Sequence, residues 1–569
     1  METFLGIDLG TQQLKAVLTD ENLNIVCIEV INYDNELPEF KTVGGVHRAS
    51  ETVTAPVLMW IKALDNLLHR LKLNGIEFSS IKAISGAAQQ HGSVFWKHGA
   101  EQILKTLNFR ETLFNQLQNS FATNDCPIWM DASTTSECKI LEDSCGGPME
   151  LAMRTGSVGC ERFTGPQIFK KYRKERHIYD STEHISLISS FLCSVFCGCY
   201  ASVDFGDASG TNLFNIATFK WDDHCVNVCG KDLRSKLGDC VPSTTSVGFI
   251  ADYFVKRYGF SPACSVIVFT GDNHFLLKSW MNFFEKLLCK LQDSPPAVSH
   301  VLCNTVTFTS ARPSTTVVVV ASLAVLCQSS DCLGISLGTS DTLFFWLHEP
   351  VPIPSGHVFC NPLQQDAYMG LICFRNGDGT RTNIRTLCGC KTWYEFELLV
   401  AETPPGNNGF IGIVGRIYFD ELETSCSIKP GYYRFNVDGK LLQSFASNVE
   451  ARAILEHQCL SKRMSLENVC LTDKMKHIQV TGGASENSAL VQILSDVFNL
   501  PVYKIKTAHS AALGGCARAI MLESKNFNFH SGNYAELVAL PRAFAVEIYN
   551  TMICRYKELI KLFTVDQPL

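Results

Sequence analysis

The sequence predicts an α/β protein built from two similar domains that face each other across a cleft. Three observations carry the prediction. The segment "GIDLGTQQLKAVL" at 6–18 returns as "GISLGTSDTLFFWL" at 334–347, and self-similarity of this kind marks a duplicated structural unit. Each copy leads alternating apolar residues into a Leu-Gly-Thr turn, the pattern of strand, tight turn and second strand. Each half then changes to helical period. Val57, Trp60, Ile61, Leu64, Leu68 and Leu71 make one apolar stripe, and Leu490, Ile493, Leu494 and Val497 make another.

The first hairpin is followed by "NIVCIEVINY", which completes a three-strand meander. At 569 residues and 46% hydrophobic content the chain can bury more than one core. A formal charge of -7 leaves no basic surplus for wrapping nucleic acid. The one dense basic run, "KKYRKER" at 170–176, has helical character and reads as a solvated face. "TFLGIDLG" opens as a strand without the features of a secretory signal. The longest aliphatic run, "VVVVASLAVL" at 317–326, is shorter than the roughly 18 residues that span a bilayer. A soluble, cytosolic protein with no membrane partner is expected, as a monomer or small homo-oligomer. The 25 cysteines are scattered, and the CxC pairs Cys197 with Cys199 and Cys388 with Cys390 have no second pair at zinc-site distance. They read as reduced, buried, small hydrophobes.

Gly-Thr hairpins have a physical use. Their backbone N–H groups and hydroxyls donate to phosphate oxygens, and two facing turns hold the two ends of a triphosphate. The copies differ where Asp8 in the first stands opposite Ser336 in the second. A single carboxylate near phosphates suits Mg²⁺, which keeps most of its waters. The competing reading makes Asp8 a turn-stabilising Asx residue; the repeat favours the phosphate reading. Later, "KHIQVTGGASENSALVQILSDVF" at 476–498 runs as a strand into Gly482 and Gly483, then into a helix opened by Ser485, Glu486 and Asn487. Paired glycines let a flat ligand lie on the backbone, although a plain capped turn has the same pattern.

In this order and spacing the pieces resemble the FGGY carbohydrate kinases of the actin-like ATPase superfamily, over nearly the whole chain. The resemblance rests on "DLGTQQLKAV", "SGAAQQHGSVFWK", "CPIWMDASTT", "ERFTGPQI", "FTGDN", "SLGTSDTLF" and "TGGASENSALVQILSDVF". It implies two ribonuclease-H-like domains, over 1–273 and 321–569, and ATP-dependent phosphorylation of a pentulose, D-xylulose at its terminal O5. It further implies that Asp8 holds Mg²⁺ through water, with Thr11, Gln12 and Lys15 near the phosphates and Gly338 and Thr339 meeting them from the other domain. Gly482, Gly483 and Asn487 would border the adenosine, with Trp393 beside it. Gln90, His91, Asp131, Arg162 and Asn273 would touch the sugar, and Asp272 would be the general base and a sugar contact.

The chemistry agrees, because phosphoryl transfer needs alignment, charge neutralisation and a carboxylate to take the hydroxyl proton. A polyol needs many hydrogen bonds, which Gln, His, Asp and Arg supply. His91 as a core histidine, Arg162 as a brace and Asp131 as a cap of the segment from Ala132 are the alternatives. The chain departs from the family pattern at 274–320. This stretch, which opens with "HFLLKSWMNFFEKLLCKL", interrupts the link to "ASLAV" at Ala321, and the abrupt join reads as translated non-coding sequence or an error in the gene's assigned exons. Such an insertion beside Asp272 and Asn273 allows a second reading, an impaired family member, beside that of a kinase for another pentulose or polyol. A chaperone-like ATPase is a third, disfavoured because it would not need Gln90, His91, Asp131 and Arg162. The Pro- and Gly-rich loop within 399–423 is longer than the family pattern.

Overall fold

The structure, a computed structural model, describes residues 2–271, 330–338, 340–353, 356–361, 367–374, 377–414, 431–469, 474–505, 510–523 and 535–562. The predicted first hairpin forms as β1 (Thr3–Leu9) and β2 (Gln13–Asp20), with Asp8 opposite Lys15 in antiparallel register. β3 (Ile25–Asn32) adds antiparallel to β2, and β4 (Ile81–Ala88) lies parallel to β1 on its other side. β5 (Ser265–Ile267) extends the sheet parallel to β4, and the short β6 (Thr270–Gly271) pairs with the end of β4. The helix α1 (Val57–Leu73) buries the whole predicted stripe, Val57, Trp60, Ile61, Leu64, Leu68 and Leu71.

The second hairpin, β7 (Cys332–Leu337) with β8 (Asp341–Leu347), rebuilds the same plan. After β9 (His357–Cys360), β10 (Tyr368–Phe374) pairs antiparallel with β8. β11 (His477–Thr481) lies parallel to β7, and β12 (Val502–Ile505) parallel to β11. The order β3-β2-β1-β4-β5 in the first half is thus matched by β10-β8-β7-β11-β12 in the second, with the same strand senses. The duplication read from sequence is therefore a duplication of topology.

The α/β connections place the motifs at strand ends. α2 (Thr164–Lys174), α3 (Ile188–Cys197) and α4 (Phe205–Ser209) belong to the first half. α5 (Gly377–Leu387), α6 (Trp393–Ala401), α7 (Ser447–Asn468) and α8 (Ser488–Phe498) follow in the second, with Leu490, Ile493, Leu494 and Val497 all buried in α8. One helix crosses between the halves. α9 (Ser510–Glu523) packs its small residues Ala512, Cys516 and Ala517 in one cluster with Phe4, Val17 and Ala83 of the N-terminal sheet. A Cβ on Gly6 would fall 1.8 Å from the Ala512 carbonyl oxygen, so only glycine admits the helix at this distance.

The basic run differs from expectation. α2 ends at Lys174, and Arg173 and Lys174 converge at 3.0 and 3.1 Å on Glu137, whose side chain is wholly buried. A buried carboxylate retains its charge only when paired, so these two cations serve an ion pair and are not merely a solvated face. The described cysteines are free thiols, many of them buried. Among the described residues no helix is long and apolar enough to cross a membrane.

Candidate functional site

Three neighbouring parallel strands of the first half end side by side. Asp8 pairs across to Ala87, Leu9 to Ala88, and Thr270 and Gly271 to Ala87 and Ala88. Ligands of α/β sheets gather beyond such carboxyl ends. Asp8, the turn Gln89-Gln90-His91 and the peptide leading to Asp272 therefore share one edge. Asp272, Asn273 and Thr339, like the predicted insertion 274–320, lie outside the described residues.

Asp8 is 3% exposed and lies 3.5 Å from the Lys15 ammonium, itself 3% exposed. The hairpin register creates this pair, since the two residues face each other across β1 and β2. Below them the Tyr33 hydroxyl donates to the Gly10 carbonyl at 3.2 Å. Burial, reinforced by the Asp8 charge, pushes that phenol well above its ordinary range, so it stays a donor. Thr11 is held on two sides: its hydroxyl donates to Gln89 at 3.3 Å and accepts from the Trp129 indole at 2.9 Å. Gln12 is half-buried, and its carbonyl takes the Tyr33 N–H at 3.0 Å. Gly44 and Gly45 donate to Asp34 at 2.5 and 3.1 Å, and a Cβ on Gly45 would come within 2.0 Å of the Thr11 carbonyl oxygen. The glycine pair clamps the turn.

His91 is 7% exposed and has φ +66°. A non-glycine residue in that region costs energy that surrounding contacts must offset. Here its Nδ1 bonds the Gly210 carbonyl at 2.8 Å, and its ring stacks on Phe163 with centroids 4.4 Å apart. Phe163 in turn lies 5.1 Å from the His357 ring on β9, and His357 Nδ1 is 2.9 Å from Ser157 Oγ. The histidine of the first half thus touches a chain of rings that ends in the second half. Arg162, half-buried, immediately precedes Phe163 at the start of α2. Gln90 is 2% exposed, and its amide lies 2.9 Å from where a Cβ on Gly271 would stand.

Asp131 has another occupation. Its carboxylate accepts Val53 N–H at 2.9 Å, Ser133 N–H at 3.0 Å, Gln167 Nε2 at 2.8 Å and the Ser133 hydroxyl. Those donors take up the roughly four acceptor positions of a carboxylate. The geometry favours the capping alternative over a direct sugar contact.

In the second half β7 and β11 end together, Ser336 opposite Thr481. Gly482, at φ +91°, brings its backbone so close that a Cβ would lie 2.4 Å from the Leu337 carbonyl oxygen. Gly338, Gly482 and Gly483 therefore form one surface of bare backbone. Asn487 caps α8 by accepting Leu490 N–H at 2.8 Å, and Glu397 of α6 accepts Ser488 N–H at 2.9 Å. Trp393 stands one turn before Glu397 on α6, with the Arg385 guanidinium 4.6 Å from its ring centroid. Asn487 and the glycine turn thus lie at the start of α8, and Glu397 ties α6, the helix that Trp393 opens, to the same end. Behind Gly338, its carbonyl accepts Arg381 at 3.3 Å, and Arg381 and Lys462 both bind the buried Asp341 at 2.7 and 2.8 Å. Sequence reasoning missed that triad, along with Gln89, Trp129 and Phe163, although these three and Asp341 all stand inside quoted motifs.

Two domains of one topology, each offering a glycine-bearing hairpin and strand-end turns, define the actin-like class of two-domain folds. Within that class the chain belongs to the FGGY family of carbohydrate kinases. The family's N-terminal domain model matches residues 3–277 and its C-terminal domain model residues 333–523. The chain is 40% identical to a xylulose kinase of Rattus norvegicus over 565 residues, covering 98% of this chain and 96% of the relative. It is 36% identical to xylulose kinase 2 of Arabidopsis thaliana over 530 residues, 91% of this chain and 86% of that one. In fold it is similar to the crystal structure of a xyloylose kinase from Brucella ovis, with TM-score 0.74, 17% identity and 99% of both chains covered. A glycerol kinase with ADP from Plasmodium falciparum has TM-score 0.72 at 14% identity, with 100% of this chain and 99% of that chain covered.

Proposed function

We propose that this chain transfers the γ-phosphoryl group of ATP to the terminal hydroxyl of D-xylulose. Relatedness to xylulose kinases along almost the whole chain carries the reading. Mg²⁺ fits the donor set: Asp8 offers a buried, hard carboxylate at a strand end, held by Lys15. Asp8 would hold the ion, which when bound neutralises charge on the phosphates.

The chain's own residues divide the remaining work. Thr11, Gln12 and Lys15 would orient the phosphates from the first hairpin, and Gly338 and Thr339 from the second. Gly482, Gly483, Asn487 and Trp393 would border the adenosine. Gln90, His91 and Arg162 would bind the sugar, with Asp131 bracing the loop before it. Asp272 would take the hydroxyl proton and Asn273 would hold the acceptor. Residues 1–273 and 321–569 would be the two kinase domains, with 274–320 an insertion.

The test is ADP release coupled to a spectrophotometric readout, with D-xylulose, other ketopentoses and glycerol as acceptors. Release with D-xylulose that vanishes in Asp272→Asn supports the reading. Release without any sugar refutes it. The unmatched stretch between the two family models favours a second reading, in which the insertion impairs turnover; activity that appears only after deletion of residues 274–320 would select it.

A further inference from the structure

Asp207 is a buried carboxyl beside the candidate site that the roles above leave unused. It belongs to α4 and is 2% exposed. Its Oδ2 accepts the Ser189 hydroxyl of α3, and its backbone N–H donates to Asp204 Oδ1 at 2.7 Å. The other oxygen, Oδ1, is buried with no hydrogen-bond partner among the described residues. A polar atom buried in that condition is costly unless something pairs with it.

Its direction identifies what could pair with it. A Cβ on Gly271 would stand 2.7 Å from Asp207 Oδ1, 2.5 Å from Gln90 Cγ and 2.9 Å from Gln90 Nε2. The Asp207 carbonyl accepts Gly210 N–H at 3.1 Å, and the Gly210 carbonyl is the partner of His91 Nδ1. Oδ1 therefore lies with Gln90 and His91 at the residue that precedes Asp272.

The local charge decides which protonation state fits. The acidic group that acts on it among the described residues, Asp204, already accepts Thr270 Oγ1 at 2.7 Å and the Ser243 hydroxyl. Among the described residues no salt bridge reaches Asp207. Burial, with the Asp204 charge added, pushes the Asp207 carboxyl up to about 8. A carboxylic acid kept neutral by its surroundings is a hydrogen-bond donor. The Ser189 contact suits this state, since Oδ2 accepts and leaves the proton on Oδ1.

We infer that Asp207 is a sugar-binding residue in neutral acid form, its Oδ1–H donating to a hydroxyl or carbonyl oxygen of the ketose held beside Gln90. The inference rests on the kinase reading above and adds to it one uncharged donor. A second carboxylate there would repel the charge that the general base must carry; a neutral acid does not.

Calorimetric binding of D-xylulose and of ATP to the full chain tests this without requiring turnover. Asp207→Ala is expected to weaken D-xylulose binding about tenfold or more and to leave ATP binding unchanged. Asp207→Asn, whose amide supplies the same donor, is expected to stay within about threefold of wild type. The infrared difference spectrum between wild type and Asp207→Asn at pH 7 is expected to show the C=O band of a protonated carboxyl. The inference is overturned if Asn weakens the sugar as much as Ala, if Ala leaves the sugar unaffected, or if both ligands weaken together. It is also overturned if the protonated band is absent or wild type does not bind D-xylulose. Binding that matches the expected pattern while ADP release fails would sink the kinase reading alone.

Discussion

The triad behind the second hairpin gives the sharpest energetic prediction. In Asp341→Ala two cations lose their common partner: Arg381 contributes hydrogen bonds of 2.7 and 3.1 Å and Lys462 one of 2.8 Å. The side chains of Asp341, Arg381 and Lys462 are 0%, 2% and 1% exposed, so water cannot replace the lost carboxylate. Breaking a buried pair by removing one member costs about 3–5 kcal/mol, which for a domain of this size lowers its Tm by about 10 °C. Removing one orphaned cation as well, in Asp341→Ala with Lys462→Met, should recover part of the loss. The control is Asp252→Asn, in an exposed pair with Lys256 at 81% and 55% exposure, where a change below about 0.5 kcal/mol is expected. Differential scanning calorimetry reads both. The same substitution frees Arg381 from its position under Gly338, so the KM for ATP should rise more than the KM for the sugar. Burial opposes ionisation of Asp341, but Arg381 and Lys462 outweigh it and hold the carboxyl below its ordinary range. A depressed carboxyl stabilises the fold above the ordinary carboxylate pKa and loses that contribution as pH falls below it. Wild type and variant should therefore converge in stability in acid. An Asp341→Ala protein within about 1 kcal/mol of wild type at pH 7 would refute the reasoning.

Two further predictions concern the glycine turn and a buried acid. Gly482→Ala places a methyl 2.4 Å from the Leu337 carbonyl oxygen at a φ of +91°, so it should weaken ATP binding at least about tenfold while calorimetry shows D-xylulose binding retained. Equal loss of both ligands would contradict this. Glu456 of α7 is raised to about 7 by burial, against the lowering influence of Arg452. Its Oε1 accepts Tyr549 at 2.7 Å and Gly406 N–H at 2.9 Å, whereas Oε2 has no partner among the described residues. The folded state holds this proton more tightly, so stability should decline as pH rises from the ordinary carboxylate range through about 7. Glu456→Gln keeps the acceptor, and its Tm advantage over wild type should grow between pH 5 and pH 8; a constant difference would count against the assignment.

The parts of the fold legible in the sequence are those it encodes locally. The hairpins at Gly6 and Gly334 could be read because alternation, glycine and hydroxyl occur within a dozen residues. The stripes of α1 and α8 come from the helical period alone. Residues that meet only through tertiary packing had no such signal. Asp341, Arg381 and Lys462 come from β8, α5 and α7, and Lys462 in "CLSKRMS" has the look of an ordinary solvent-facing lysine. The resemblance put Asp131 among the sugar contacts; the four protein donors it meets come from three separate segments, which spacing does not reveal.

The crossing helix shows why chain order and packing order part company. "SAALGGCARAI" reads as a weak helix, since its glycines lower propensity and its small residues bury little area each. Its composition becomes intelligible only against the N-terminal sheet, where Gly6 faces Ala512 and a Cβ on Gly515 would approach the Ser85 carbonyl oxygen at 3.0 Å. Arg518 then reaches across to Ser85 Oγ at 2.9 Å, the Gly86 carbonyl at 3.2 Å and the Ser243 carbonyl at 3.0 Å. A buried guanidinium is expensive unless acceptors and opposite charge meet it, and the Asp204 charge adds to these three bonds. The last sheet-covering helix of the first half is therefore supplied by residue 510 onward, and β1 and β4, which carry Asp8 and the Gln90-His91 turn, are braced by the far end of the chain. Any movement of the second half relative to the first must either carry α9 along with the N-terminal sheet or break these bonds. The first course costs less, so α9 belongs mechanically with the N-terminal sheet although the chain reaches it from the second half.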